Sequence, residues 1–407
     1  MARADIARRF IGQFWLISNI AARSLLGLQI YGFAVVYLEP TDSARLFQLL
    51  LLQFTIAVVM TGSGYVRGAA AQQRGEIRRS LVGVLGLSTI LVIGLIAADV
   101  FAGDQLRRIA PYDSSQTWAI LMLGAGCSAI VTTTQGIFAA AGHRRAAFAP
   151  GTIGVIFGAI YMTIGDVTVH SLAQAWCFYQ FASLILIAPF IAPLIGRDIA
   201  SEQRMTARAV VKEISTALQI GLFGAASMLA VYFFREKWRI EADAQVVELV
   251  FFALRFSDLF FQFVFYAFAL GQRGSFAERV RKADARLTIS SIALWLVVIP
   301  GSAILLKGDP YTLAFLLPLA VLHIGMDTAR LFSSWACIDS LRELSPLRYL
   351  LVTVAPYALG AGVVWAITGF DHAAALYIFL ACAAGLQCLL AFLALNAATR
   401  KASVVKI

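Results

Sequence analysis

The feature that most constrains this chain is a succession of long apolar runs filling it from end to end. They lie at about 11–38, 44–66, 80–102, 116–141, 146–165, 169–195, 210–234, 245–270, 287–306, 311–336, 347–369 and 373–396. Each is close to the roughly 20 residues that an α-helix needs to cross the hydrocarbon core of a bilayer, and no connection exceeds about 20 residues. The composition agrees. Of 407 residues, 60% are hydrophobic and 14% charged, with a mean hydropathy of +0.79, where a soluble domain carries roughly 45–50% and about 25%. An excess of that size cannot be enclosed in a water-soluble core and needs lipid as its solvent. The chain reads as an all-α polytopic membrane protein of about twelve transmembrane helices. A secreted enzyme, a nucleic-acid binder and a disordered scaffold are excluded.

The net charge of +10 reports topology rather than a polyanion partner once its distribution is read. With both termini cytoplasmic, 23 of the 33 Lys and Arg fall in cytoplasmic segments, 7 on the opposite side, among them Arg235, Lys237 and Arg239 in an outward loop, and 3 within helices. A wrong helix count would scramble such a bias, so the positive-inside rule supports twelve crossings with both ends inside. The amino-terminal stretch resembles a signal peptide, but its run contains Gln13, Asn19 and Arg23 and continues to Leu38. That is too long and too polar for a cleaved segment, so it is kept as the first helix. Cys127, Cys177, Cys337, Cys382 and Cys388 lie in or at the ends of apolar runs, with no CxxC and no clustered His. They read as small apolar residues, with neither a disulfide nor a metal assigned.

An internal duplication divides the chain. The second run ends in Gln73-Arg74-Gly75 and the eighth in Gln272-Arg273-Gly274, an offset of 199 residues, and a charged connection around 196–212 marks the midpoint. Six crossings return the chain to the same side, so two six-helix halves in parallel orientation are expected, 1–200 and 201–407.

Polar residues at membrane depth carry the functional information, since each costs about 2.5–3.5 kcal/mol or more at a helix centre. The first helix has Asn19 and Arg23 on one face; the eighth has Glu248, Arg255, Asp258 and Gln262 in one stripe; the tenth has His323, Asp327 and Arg330, beyond Pro318. One reading pairs Arg255 with Asp258 and Arg330 with Asp327 as glue between helices. The other places Arg23, Arg255 and Arg330 around a hydrated cavity for an anionic substrate, because Arg23 has no acid in its own helix and guanidinium suits phosphate. His323 reads more simply as a packing residue than as a proton relay. Thr132, Thr133, Thr134, Gln135, Gln174 and Gln180 either line a cavity or hydrogen-bond across helices. Gly154 and Gly158 mark a close helix contact. No nucleotide-binding or hydrolase motif is present, and no catalytic residue is assigned.

Three stretches resemble the bacterial polysaccharide-biosynthesis flippases of the multidrug/oligosaccharidyl-lipid/polysaccharide exporter superfamily. After the first helix, Leu38-Glu39-Pro40-Thr41-Asp42 keeps the Leu, the Pro and an acid of the family turn, while its glycines and aromatic residue are replaced. Gly62-Ser63-Gly64-Tyr65-Val66-Arg67 is similar to the family's small-residue end of the second helix. Gly142-His143-Arg144-Arg145 is similar to its basic turn between the fourth and fifth. The resemblance implies two six-helix bundles in a V-shaped, alternating-access transporter of the bacterial inner membrane. Its cargo would be an undecaprenyl-diphosphate-linked oligosaccharide repeat unit, taken from the cytoplasmic to the outer leaflet.

It further implies a cavity cation at Arg23, while Arg255 and Arg330 have no counterpart in the family; the polar stripes themselves point to substrate contacts at Asn19, Arg255 and Arg330 and to coupling or gating at Asp258, Asp327, Glu248 and His323. No cofactor is expected beyond a coupling proton or sodium ion. The implied partners are the lipid-linked glycan, membrane lipid, and a glycan polymerase with its export machinery; nucleic acid is not among them. Three alternatives stay open. A cation-coupled multidrug antiporter shares the layout but usually carries an acid deep in the first helix, where this chain has Asn19 and Arg23. A membrane polysaccharide polymerase or ligase generally needs a larger outward loop than 103–115 or 235–244. A non-transporting subunit of an export complex is the third.

Overall fold

In the computed structural model, described for residues 2–61, positions within 64–72, 75–199, 206–241 and 346–367 and single positions in 244–251 and 375–389, every regular element is an α-helix. The helices are α1 (Ala2–Tyr37), α2 (Pro40–Thr61), α3 (Ile77–Ile109), α4 (Ser115–Ala140), α5 (Arg144–Met162), α6 (Val169–Ile199), α7 (Ala207–Glu241) and α8 (Pro346–Ile367). Six contain segments long and apolar enough to cross a membrane, Phe14–Tyr37, Pro40–Thr61, Ile77–Ile109, Ser115–Ala140, Arg144–Met162 and Val169–Ile191. They coincide with the first six apolar runs, which is the expected outcome where a bilayer leaves a backbone no other way to satisfy its N–H and C=O groups.

Local chemistry sets the helix ends. Pro40 opens α2, where its missing N–H costs nothing and its fixed φ already suits a helix; the family-like turn after Leu38 is therefore the first turn of a helix. Ser114 caps α4, its hydroxyl accepting from the Thr117 N–H at 3.2 Å. The α4–α5 turn pivots on Gly142 at φ 85°, a left-handed conformation that favours glycine. Ala102 breaks the helical geometry inside α3 with φ −140°, ψ 31°.

The chain divides into two compact units, Met1–Ala225 and Ala226–Ile407. In the first, α4 lies centrally against α2, α3, α5 and α6, and α5 packs along both α6 and α1. Glycine makes these approaches possible. A Cβ on Gly154 would lie 2.9 Å from the Tyr179 carbonyl oxygen, and one on Gly158 would lie 2.8 Å from that of Ala175, so the pair seats α5 directly on the α6 backbone. Gly68 does the same against α4, where a Cβ would meet the Thr133 carbonyl oxygen at 1.9 Å, and Gly64 faces the Thr132 and Thr133 hydroxyls there. The first part of α7 sits on α2 and α3, with Gly221 pressed on the Val59 backbone and Gly83 beside that of Glu213.

In the second unit the helix α7 runs on to Glu241, although the charges imply a loop from 235. Arg235 and Glu236 are 6% and 7% exposed, and Arg239 donates from Nε and Nη2 to the Glu236 carboxylate at 3.0 and 2.7 Å. Charge pairs at i, i+3 and i, i+4, the latter Lys237 with Glu241, neutralise this end and let it stay helical.

Candidate substrate site in the first unit

Asn19 and Arg23 lie one turn apart on α1, on the side that meets α5 and α6. Asn19 is buried, and its Oδ1 packs against Gly151 of α5, where a Cβ would come within 2.2 Å. Arg23 is half-buried, and its guanidinium carbon stands 5.8 Å from the ring centroid of Tyr179 on α6, a cation–π arrangement. Among the described residues no carboxylate forms an ion pair with Arg23. A guanidinium in the middle of a span, held over an aromatic face rather than paired with an acid, leaves its N–H groups available to an anion.

Of the other sequence-derived candidates, Glu248 is a buried helical position in the second unit. Arg255, Asp258, His323, Asp327 and Arg330 lie outside the described residues. The uncharged candidates divide by role. Thr132, Thr133 and Thr134 donate to carbonyls of their own helix, at 2.8 Å to Ser128, 2.9 Å to Ala129 and 2.8 Å to Ile130. Gln174 accepts from the Tyr161 hydroxyl and ties α6 to α5. Gln180 accepts from Gln53 Nε2 at 2.8 Å; turned over, it donates to the Gly124 carbonyl at 2.9 Å and accepts from Trp176 Nε1 at 3.1 Å. These glutamines bond across helices. Gln135 does not, and its Nε2 lies next to Gly151 with Asn19.

Two polar clusters escaped sequence reasoning because each forms where a residue outside α3 folds back onto that helix, Tyr112 onto its end and Arg67 onto its start, which residue spacing within a helix does not reveal. Tyr112, beyond the end of α3, donates to the Asp99 carboxylate and, at 3.3 Å, to the Gly103 carbonyl, with Arg107 over its ring at 5.5 Å. Burial chiefly, then the Asp99 hydrogen bond and charge, pushes its hydroxyl up to about 12. Arg67 donates from Nε to Ser80 Oγ at 3.3 Å in the space left by Gly83. Desolvation pulls its pKa below the ordinary value, and the charge of Glu213 opposes that shift.

No protein-family model and no curated sequence matches the chain. Solved structures do. It is similar to the inward-facing conformation of a multidrug resistance MATE family transporter of the MOP superfamily, with a TM-score of 0.65 at 16% identity over 94% of this chain and 95% of that one. The outward-facing conformation of such a transporter gives 0.63 at 16% identity, over 97% and 95%. A MOP superfamily transporter from Pyrococcus furiosus, described as having a binding pocket of reverse polarity that suggests a different function, gives 0.59 at 16% identity, over 95% and 94%. The class is thereby defined at the level of fold: an all-α polytopic membrane chain with the architecture of MOP superfamily transporters. The described spans and these neighbours make it a multi-pass membrane protein.

Proposed function

We propose that the chain is a transporter of an anionic amphiphile, and more narrowly a flippase that moves an undecaprenyl-diphosphate-linked oligosaccharide across a bacterial inner membrane with both termini in the cytoplasm. The observation that carries this reading is Arg23, within the first span, over the Tyr179 ring and without a carboxylate partner among the described residues. A diphosphate crossing a low-dielectric interior needs fixed cations, because an isolated charge there is prohibitively costly. Arg255 and Arg330 would supply cations from the second half. Asp258 and Asp327 would compete for them on release, with a proton or sodium ion as the coupling ion.

A cation-coupled multidrug antiporter is the second reading, and a specific observation favours it: the neighbours quoted first are multidrug transporters. On fold comparison alone it is the better supported. The charge on α1 argues the other way, and the P. furiosus neighbour, with its pocket of reverse polarity, is consistent with a change of cargo on this fold. Complementation of a flippase-deficient strain by wild type and Arg23→Ala, with membrane abundance measured alongside, decides between them. The flippase reading expects glycan export from the wild type and its loss in the variant. Extrusion of an organic cation without glycan export would establish the multidrug reading instead.

A further inference from the structure

Uncharged atoms beside Arg23 add a selectivity that its charge cannot supply. Asn19 is 2% exposed and Gln135 3%, and Asn19 Oδ1 and Gln135 Nε2 are both shut off from solvent without a hydrogen bond. They flank a single point, since a Cβ on Gly151 would lie 2.2 Å from the first and 3.3 Å from the second. Pro150 precedes this glycine inside α5, so the helix also lacks the bond that an amide at 150 would make to the Ala146 carbonyl. Buried polar groups in folded proteins are almost always hydrogen-bonded. Here an acceptor from α1 and a donor from α4 meet at one place with their capacity unused, beside the one deep cation of α1.

We infer that Asn19 and Gln135 form an amide-reading subsite one turn of α1 from Arg23, selecting cargo that carries a secondary amide, such as an acetamido sugar, beside its anionic group. A secondary amide offers an N–H to Asn19 Oδ1 and a C=O to Gln135 Nε2, from opposite sides of one planar unit, and its methyl suits a dry interior. A hydroxyl presents donor and acceptor on one oxygen and reaches only one of the two well. Sites built around such hydrogen bonds reject analogues that leave them unmade. Both atoms are covered in this conformation, so cargo reaches them as α1 parts from α5, starting at half-buried Arg23. The inference rests on the anionic-cargo reading above.

The test uses the full chain in lipid nanodiscs and two probes, farnesyl diphosphate carrying N-acetylglucosamine and farnesyl diphosphate carrying glucose, with binding measured by calorimetry. Wild type should bind the acetamido probe about tenfold more tightly, the factor expected for one or two neutral hydrogen bonds. Gln135→Leu and Asn19→Ala should bring that ratio towards one, while Arg23→Ala weakens both probes and preserves the ratio. Thermal unfolding of each variant reports its folding, and the wild-type ratio requires no variant at all. Equal affinities in a wild type whose binding depends on Arg23 overturn the subsite and leave the anionic reading standing. A tenfold ratio that survives Gln135→Leu and Asn19→Ala also overturns the subsite. A ratio abolished by those variants, with binding indifferent to Arg23→Ala, upholds the subsite and overturns the anionic reading. Failure to bind either probe overturns both.

Discussion

Arg23 shows what one residue contributes on α1. Its guanidinium is planar, offers a fork of N–H donors and stands over the Tyr179 ring, and an ammonium at the same place would lack the plane and the fork. Arg23→Lys should therefore retain some glycan export but lose about tenfold in probe affinity through the missing bidentate geometry, as the calorimetric assay will read directly. Tyr112 supports a prediction about pH. Its hydroxyl stands at about 12 against an ordinary 10.0, so between those values the folded chain holds a proton that the unfolded chain has released. The resulting stabilisation is fully present below pH 10 and is lost as pH rises through about 12. Melting temperatures followed across that interval should fall more steeply for wild type than for Tyr112→Phe, which has no proton to lose there.

Among elements, the packing of α5 on α6 is the contact most sensitive to a single methyl group. Gly154→Ala places a carbon 2.9 Å from the Tyr179 carbonyl oxygen and 2.3 Å from Ser183 Oγ; the hydroxyl can turn away, but the backbone oxygen cannot. The variant should lose about 1–3 kcal/mol of stability, read as a lowered melting temperature in detergent. Gly32→Ala and Gly94→Ala provide the contrast, since a Cβ there meets nothing within 4 Å; both should melt at or above the wild-type temperature. At the head of α4, Ser114→Ala removes the oxygen that accepts from the Thr117 N–H, and by the usual worth of such a cap it should cost about 1 kcal/mol.

For the whole molecule, topology is the testable quantity. The bias of 23 basic residues against 7 predicts, by the positive-inside rule, that both termini lie in the cytoplasm. A phosphatase fused after Lys401 should be inactive and a cytoplasmic reporter at the same place active; the reverse pattern would overturn the topology with both ends inside. The seventh helix bears on the same count. Its charged end is helical through Glu241, with Trp238 fully buried, so the helix extends past residues whose charges imply a loop.

Local and one-dimensional properties were legible in the chain itself. Apolar length marks the six described spans, because lipid admits only helices there, and the absence of an acid from the spanning part of the first helix, Phe14–Tyr37, marks that segment as cationic. The Gly154–Gly158 spacing announces a close approach, though not that α6 is the partner. Which polar side chains meet was decided only by the tertiary structure. Nothing in spacing distinguishes Gln180, bonded across to Gln53, from Gln135, left beside Asn19 and Gly151, and nothing joins Tyr112 to Asp99 or Tyr179 to Arg23. A hydrophobic pattern fixes how far a helix extends and which face is apolar. Its rotation and neighbours follow from where glycines let backbones touch, and that is a property of pairs of helices rather than of any one run of sequence.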